Sequence, residues 1–397
     1  MSKVIKIAFI EQDSGIGGAE VNLFYLFRGI DRDHFDPIVV VPYEGPLTER
    51  LKKVGVKYHV IPRVKFISTS TYILGKKIFN PLAVLYDIFI FLPTIWKLKN
   101  FLKEEKINVV HTNSMMAHIY GAIAAKIAGV PCIWHMQDIV DPQMAFGLAR
   151  KALVLIGGIL PKKIVVVSKT VGQMFNGKSL QKVHVVYNGI DGEKFSPEID
   201  GAGIRKKFKV SDDDFIVGIV GRLVIWKGQR EFLKAASVIA GKIPNTKFLI
   251  VGETTFGPEK YKDELYKLAC ELAIESKVIF TGYRDDIPNI IRAMDVIVHA
   301  STSPEPFGLV IIEGMASGVP VVASNRGGHL EIIEHGKEGF LVDPEDTDEL
   351  ADTIIELLRD RSLREKIAEA AQMKVSEQCS IDNFTSQFHK IYLEVLN

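Results

Sequence analysis

The chain has 397 residues, 47% apolar and 24% charged, the make-up of a folded globular protein with room for two core-bearing domains. Its 49 basic and 48 acidic residues leave a net charge of +1, so bulk charge gives no ground for a nucleic-acid partner. Cys132, Cys270 and Cys379 are odd in number and far apart, which indicates neither a disulfide framework nor a zinc site and fits a reducing cytoplasm.

The run Val4 to Ile10 is too short for a signal peptide and reads as a buried first strand, with no secretion implied. It leads into Glu11-Gln-Asp-Ser-Gly15-Ile-Gly17-Gly18-Ala-Glu20, a glycine-rich loop entering a helix near Ala19. Backbone N–H groups of such a loop can approach an anion, though a tight turn without a ligand uses the same glycines. It is not the GxGxxG dinucleotide fingerprint. Further β-branched runs, Pro37 to Val41, Val109 to Thr112, Pro131 to His135 and Ile164 to Val167, alternate with helical patterns and predict a doubly wound parallel sheet.

Between these strands, residues 64–101 mix aromatic, aliphatic and lysine residues, interrupted by Asp87 and Pro93 and too broken for a spanning helix. They are read either as an interfacial surface giving peripheral membrane contact or as an ordinary buried helix of the domain. His135 ends its apolar strand and is expected to face a ligand between two domains, with a satisfied strand-end histidine as the plain alternative. His118 is a weaker candidate, and His111 is expected to pack at its strand end.

After a join at Val183 to Asp191 and the polar stretch Gly192 to Asp214, the pattern restarts. Phe215 to Gly221, Lys247 to Val251, Lys277 to Gly282, Asp295 to His299, Val319 to Ala323 and Gly339 to Val342 form a second strand series. The chain therefore divides into residues 1–190 and 191–379, with a last helix of about Ile381 to Leu396 able to cross back to the first domain. That helix carries Phe384, Phe388, Ile391, Tyr392 and Val395 at helical spacing.

The second domain holds the strongest signals. Arg222 and Lys227 flank the turn after its first strand, an arginine fork and a lysine point charge that suit a diphosphate. Asp285-Asp286 is read as a helix start and not as a metal pair; no divalent cation is called for. In Glu305-Pro-Phe-Gly308-Leu-Val-Ile-Ile-Glu313, Pro306 suits a first helical position, which puts Glu305 just outside the helix and directs the N–H groups of Phe307, Gly308 and Leu309 towards phosphate oxygens. Glu313, embedded in apolar residues, calls for a partner such as ribose hydroxyls; the plain alternative is a structural ion pair.

Gly17-Gly18, Gly221-Arg222 with Lys227-Gly228, Asn188-Gly-Ile-Asp191, Glu305 through Glu313 and Gly327-Gly328 together resemble the retaining GT-B glycosyltransferases of family 4, in order along nearly the whole chain. The resemblance implies two facing Rossmann-like domains, the first for the acceptor and the second for a nucleotide-sugar. It assigns Glu313 to the ribose, Glu305 to the donor sugar, Arg222 and Lys227 to the diphosphate, Gly17 and Gly18 to donor phosphates or acceptor, and His135 to the transferred sugar. Asn113 stands where the family often has the second histidine of His-x-His, which bears on acceptor identity.

The expected protein is a cytoplasmic, metal-independent, retaining glycosyltransferase, peripheral at the inner membrane face if 64–101 forms the interfacial surface and not if it is an ordinary buried helix. It would move a sugar from a UDP- or GDP-sugar to a glycan or lipid-linked acceptor in cell-surface polysaccharide biosynthesis. Nucleobase contacts are expected around Tyr283 and Arg284, mostly through the backbone. The rivals are a non-catalytic sugar-nucleotide binder of the same fold and, less well supported, a nicotinamide oxidoreductase.

Overall fold

The structure, a computed structural model, describes residues 4–63, 70–73, 76–79, 81–140, 147–254 and 260–397, with side chains described outside 70–89 and 148. Its contacts divide the chain into two compact units, Met1–Tyr187 with Phe384–Asn397, and Asn188–Asn383.

The first unit contains β1 (Ile5–Ile10), β2 (Phe35–Val41), β3 (Lys57–Val60), a hairpin of β4 (Ser70–Ile73) and β5 (Lys76–Phe79), then β6 (Val109–Thr112), β7 (Cys132–Met136), β8 (Lys163–Val166) and β9 (Val183–Val185). Apart from the hairpin these form one parallel sheet in the order β3-β2-β1-β6-β7-β8-β9. β6 and β7 are buried along their whole length, because a parallel sheet is covered on both faces; His111, Thr112 and His135 are buried along with their apolar residues. The edge strand β3, Lys-Tyr-His-Val, alternates exposed and half-buried, and so gives no apolar run to read in the sequence. β9 occupies the start of the segment read as the join.

The second unit contains β10 (Phe215–Val220), β11 (Thr246–Val251), β12 (Val278–Gly282), β13 (Val296–His299), β14 (Val321–Ser324) and β15 (Phe340–Val342), in the order β12-β11-β10-β13-β14-β15 and again all parallel. In both sheets the first strand lies between the second and a later one, so the winding reverses beside it. In sheets of this type ligands bind outside the carboxyl ends of the strands at that reversal. Glu11 and Asn113 follow β1 and β6; Gly221 and Ala300 follow β10 and β13.

The last helix, Ile381–Leu396, buries Phe384, Phe388, Ile391, Tyr392 and Val395 in the core of the first unit beside Ile7, Val39 and Val109. Tyr392 Oη lies 2.8 Å from His111 Nδ1 in that core. The helix Pro81–Glu104 runs through Pro93 without a break in its assignment, as the reading of an ordinary domain helix expects. It buries Phe91, Thr94, Ile95, Leu98, Phe101 and Leu102 on one face and exposes Leu92 and Trp96 on the other. Residues 64–69, 74–75 and 80, within the proposed membrane surface, lie outside the described residues. No helix among the described residues is long and apolar enough to cross a membrane.

Candidate active site

In the second unit three loops converge at the sheet reversal. β10 is followed by Gly221, whose φ of 155° would strain any side-chain-bearing residue, and then by a short 3-10 turn, Ile225–Lys227. Gly228, at φ 77°, then opens the helix Gln229–Lys242; a Cβ there would stand 1.8 Å from the carbonyl oxygen of Ala300. Thr302 N–H donates to Trp226 O at 2.9 Å. Backbone contact thus fixes the loop carrying Lys227 against the loop carrying Glu305.

Lys227 Nζ donates to Glu305 Oε1 at 2.6 Å, with Lys227 and Glu305 side chains 20% and 13% exposed. Ser301 Oγ donates to the same oxygen, and His299 Nε2 lies 3.5 Å from it. Among the described residues Glu305 Oε2 makes no hydrogen bond, so the carboxylate has one clamped and one unpartnered oxygen. Burial pushes the Glu305 pKa up, but His299 and Lys227 outweigh it and hold the group well below the usual carboxylate range. Behind Glu305, Gly327 sits at φ 120° where a Cβ would meet the Glu305 backbone at 2.6 Å, and Gly328 N–H donates to Glu305 O at 2.9 Å.

This pairing corrects the expected helix start. Residues 305 and 327 form a bridge, Gly308 adopts φ 90° as the N-cap, and the helix spans Leu309–Ala316. Pro306 and Phe307 therefore precede the helix, and Phe307 is buried at 2% exposure; of the three expected N–H groups only that of Leu309 belongs to the first turn. Glu305 is extended chain tied to its neighbour, a contact that a local helix signal cannot foresee.

Glu313 lies on the buried face of that helix, and its side chain makes no hydrogen bond among the described residues. Burial raises its pKa to about 7, with the Lys194 charge opposing the shift. Arg222 is exposed, and its guanidinium makes no hydrogen bond or ion pair among the described residues. Its backbone carbonyl accepts from Gln229 Nε2 at 2.9 Å, which fixes the chain behind it. A free cation, a clamped carboxylate with its lysine and an unpartnered carboxyl thus belong to one sheet edge or its following helix.

Other predicted residues fall elsewhere. Arg284 is tied to Asp286 through its guanidinium and stands over Phe208 at 6.0 Å, so its side chain is engaged within the unit; Tyr283 is 79% exposed. Asp286 is the N-cap residue of the helix Ile287–Ala293, consistent with its reading as a helix start, although its carboxylate is taken by Arg284 and makes no capping hydrogen bond. His135 does not present its ring at an open strand end: it is 1% exposed and packs against His111 and Phe388 at centroid distances of 5.2 and 4.9 Å. Neither ring nitrogen has a hydrogen-bond partner among the described residues, and burial lowers its pKa to about 3. The last helix covers it, a tertiary contact absent from its local sequence.

The glycine loop of the first unit is also occupied. Gly17 N–H donates to Glu20 Oε2 at 2.7 Å and Gly15 N–H to Asp13 Oδ1 at 2.7 Å. Gly17 is the N-cap of the helix Gly18–Gly29, and its amide and that of Gly15 are taken by the loop's own carboxylates instead of standing free for phosphate. Sequence reading missed Ser301, His299, Lys194, Glu11 and Glu20. Ser301, four residues before Glu305, was the most accessible signal, since a hydroxyl at that spacing can reach back to the carboxylate. Among the described residues no group of three or more His, Cys, Asp or Glu is placed to hold a metal ion.

Two doubly wound parallel sheets in one chain, with the last helix returned to the first, match the architecture of the GT-B glycosyltransferases. The family described as "Glycosyltransferase Family 4" matches residues 16–194, and "Glycosyl transferases group 1" matches residues 202–374. The chain is 28% identical over 369 residues to the UDP-Gal:alpha-D-GlcNAc-diphosphoundecaprenol alpha-1,3-galactosyltransferase of Escherichia coli, covering 90% of this chain and 89% of that one. It is 28% identical to the capsular polysaccharide biosynthesis glycosyltransferase CapM of Staphylococcus aureus, over 77% of this chain and 82% of the relative. The Anabaena HepE crystal structure, in complex with UDP and glucose, superposes with a TM-score of 0.84 at 29% identity, covering 98% of this chain and 100% of that one. The chain belongs to the GT-B glycosyltransferases of family 4 and is a hexosyltransferase-type enzyme.

Proposed function

We propose that the protein is a retaining, metal-independent glycosyltransferase that moves a hexosyl group from a nucleotide-sugar to a glycan or lipid-linked acceptor in cell-surface polysaccharide assembly. The observation that carries the reading is the unit-two constellation: Arg222 without a side-chain partner among the described residues, and Lys227 held by a Glu305 whose second oxygen makes no hydrogen bond among them. Breaking the anomeric bond develops negative charge on the leaving nucleoside diphosphate. Two preplaced cations lower the cost of that charge without a metal ion. Lys227 shares its proton-bearing nitrogen between Glu305 and a phosphate oxygen, and Glu305 Oε2 accepts from a donor-sugar hydroxyl. The unpartnered Glu313 carboxyl accepts from ribose hydroxyls.

Front-face attack gives retention. The bond from the anomeric carbon to the phosphate oxygen breaks, the bond to the acceptor oxygen forms on the same face, and the leaving phosphate oxygen takes the acceptor proton. No separate base is required, so Glu305 is assigned to sugar binding and not to covalent attack.

UDP is the favoured nucleotide, because HepE is described with UDP and glucose and the Escherichia coli relative is named for UDP-Gal. The diphosphoundecaprenol in that relative's name supports a lipid-linked acceptor, which would suit a peripheral position at the inner membrane face. Titration of the protein with UDP and GDP in EDTA, followed by hydrolysis assays with their sugars, tests the reading. Saturable UDP binding and slow hydrolysis of one UDP-sugar, both reduced in Lys227→Ala, are expected. Binding that appears only when a divalent metal is restored would overturn metal independence.

A further inference from the structure

The net charge of +1 hides an uneven distribution. From Gly147 to Ile190 the chain carries 7 Lys and Arg residues and no Asp or Glu, while the other residues hold 42 basic against 48 acidic. This acid-free stretch folds at one side of the first unit. It comprises the helix Leu148–Ile159, β8, the short helices Lys169–Gly172 and Gly177–Leu180, and β9, the last strand of the sheet.

The helix Leu148–Ile159 turns Leu153 and Gly157 inward; a Cβ at Gly157 would stand 3.1 Å from Trp134 and 3.2 Å from Ile164, so the glycine lets the helix lie close on the sheet. Its outer face repeats every four residues: Lys151, then Leu155 at 67% and Ile159 at 56% exposure. Gly158 admits the helix Gly177–Leu180 alongside, since a Cβ there would lie 3.4 Å from that of Lys178, and this neighbour adds the exposed Lys178 and a Leu180 that is 52% exposed. Lys182 Nζ fastens the junction by donating to Gly158 O at 2.8 Å and Pro161 O at 2.7 Å. Its pKa is lowered by burial first and then by the charge of Lys126, a sign that cations crowd here. Lys163 is engaged by Glu394 at 3.1 Å, whereas Lys151, Lys162 and Lys178 make no hydrogen bond or ion pair among the described residues.

A singly exposed aliphatic residue is ordinary. Here two stand on one helix stripe and a third on the adjoining helix, among lysines in a stretch without a carboxylate. Such a face suits the boundary of a bilayer, where aliphatic side chains enter the acyl region and lysine stems reach back to lipid phosphates. A nucleic-acid face would call for stacking aromatics, and the large exposed residues here are leucine and isoleucine.

We propose that Lys151, Leu155, Ile159, Lys178 and Leu180 form a docking surface for an anionic lipid bilayer, with the helix Leu148–Ile159 lying in the headgroup plane. This is a different surface from 64–101. The described end of that segment exposes Leu92 and Trp96, but Lys99 is folded over the Trp96 ring at 4.0 Å, and the exposed acids Glu104 and Glu105 follow. The proposal gives the peripheral position of the proposed function a surface, and it rests on this face and not on the donor chemistry.

Flotation of the full chain with vesicles of phosphatidylcholine, alone or with about one third phosphatidylglycerol, tests the surface. Binding is expected to the anionic vesicles only and should weaken as salt is raised. Lys151→Gln combined with Lys178→Gln should weaken it about twentyfold, each lysine near a charged surface contributing about fivefold. Leu155→Ser combined with Ile159→Ser should weaken it about tenfold. All four side chains are outside the core, so both variants should keep the wild-type unfolding midpoint and UDP affinity within about twofold. Trp96→Ser is the comparison and should change vesicle binding less than about twofold. Absent or charge-independent vesicle binding, unchanged binding in both double variants, a loss confined to Trp96→Ser, or capture by RNA that anionic vesicles do not compete away would overturn the proposal. Failure of the donor reading is distinguishable, because it would appear as absent UDP binding with the vesicle results intact.

Discussion

Lys227 Nζ stands 2.6 Å from Glu305 Oε1 although the two residues are 78 apart in the chain, so the cation and the carboxylate of the second unit are organised as a pair before any ligand arrives. Ser301 shares the same oxygen, which fixes Glu305 Oε1 and leaves Oε2 without a hydrogen bond among the described residues.

Breaking that pair should separate binding from stability. Lys227→Ala is expected to reduce transfer at least a hundredfold, because the diphosphate loses a preplaced charge. The stability loss should be about 1–2 kcal/mol, less than for a fully buried pair since both side chains retain solvent contact. Steady-state rates beside chemical denaturation measure both quantities. A rate loss explained entirely by unfolding would count against a catalytic role.

Glu313 predicts a pH dependence of nucleotide binding. With its pKa raised to about 7, the ligand-free protein gains the accepting carboxylate as pH rises. UDP affinity should be about tenfold weaker at pH 6 than at pH 8, and Glu313→Gln should flatten the profile. The sign reverses for stability: the folded pKa exceeds the unfolded value, so stability falls as pH rises from the ordinary carboxylate value to about 7, and the full cost of the buried charge is present above that. At pH 8 Glu313→Gln should therefore stabilise the free protein, on the order of 2 kcal/mol, while weakening UDP. Calorimetric titration and denaturation across pH provide the comparison.

Gly228→Ala should be severe. The new Cβ would stand 1.8 Å from Ala300 O, and the positive φ adds strain. A loss of about 3 kcal/mol or more in denaturant unfolding is expected, with weakened UDP binding. Wild-type stability in this variant would show that the loop crossing is not needed.

The buried histidines of the first unit predict acid sensitivity. Burial lowers the His118 and His135 pKa values to about 3 and holds His111 well below its ordinary value. Below pH 6.5 the unfolded chain binds protons that these sites refuse, so stability should fall by up to about 1.4 kcal/mol per pH unit for each, until their folded pKa values are reached. His135→Phe should reduce the slope between pH 6 and 4.5 in urea unfolding followed by tryptophan fluorescence. An unchanged slope would remove His135 from this account.

The doubly wound sheets were legible because their central strands are short runs rich in β-branched residues, such as Val109–Thr112 and Phe215–Val220. β3, an edge strand with alternating exposure, lacked that signal. Arg222, Lys227, Glu305 and Glu313 stood out because charges beside glycines or inside apolar runs require a reason. Their pairing did not, since it depends on the Gly228–Ala300 and Glu305–Gly327 approaches across the sheet edge. The same limit hid the cover over His135, supplied by Phe388 from the far end of the chain. For the Gly17 amide the answer was local: Glu20, three residues on, already fills the place a phosphate was expected to take.

The most direct measurement of the central claim is hydrolysis of UDP- and GDP-sugars in EDTA by the wild type, Lys227→Ala and Glu305→Gln, with UDP affinity determined for each. One donor should be turned over by the wild type, with at least hundredfold loss in both variants and weaker UDP binding in Lys227→Ala. Full turnover by both variants, or no nucleotide-sugar bound by the wild type, would contradict the account.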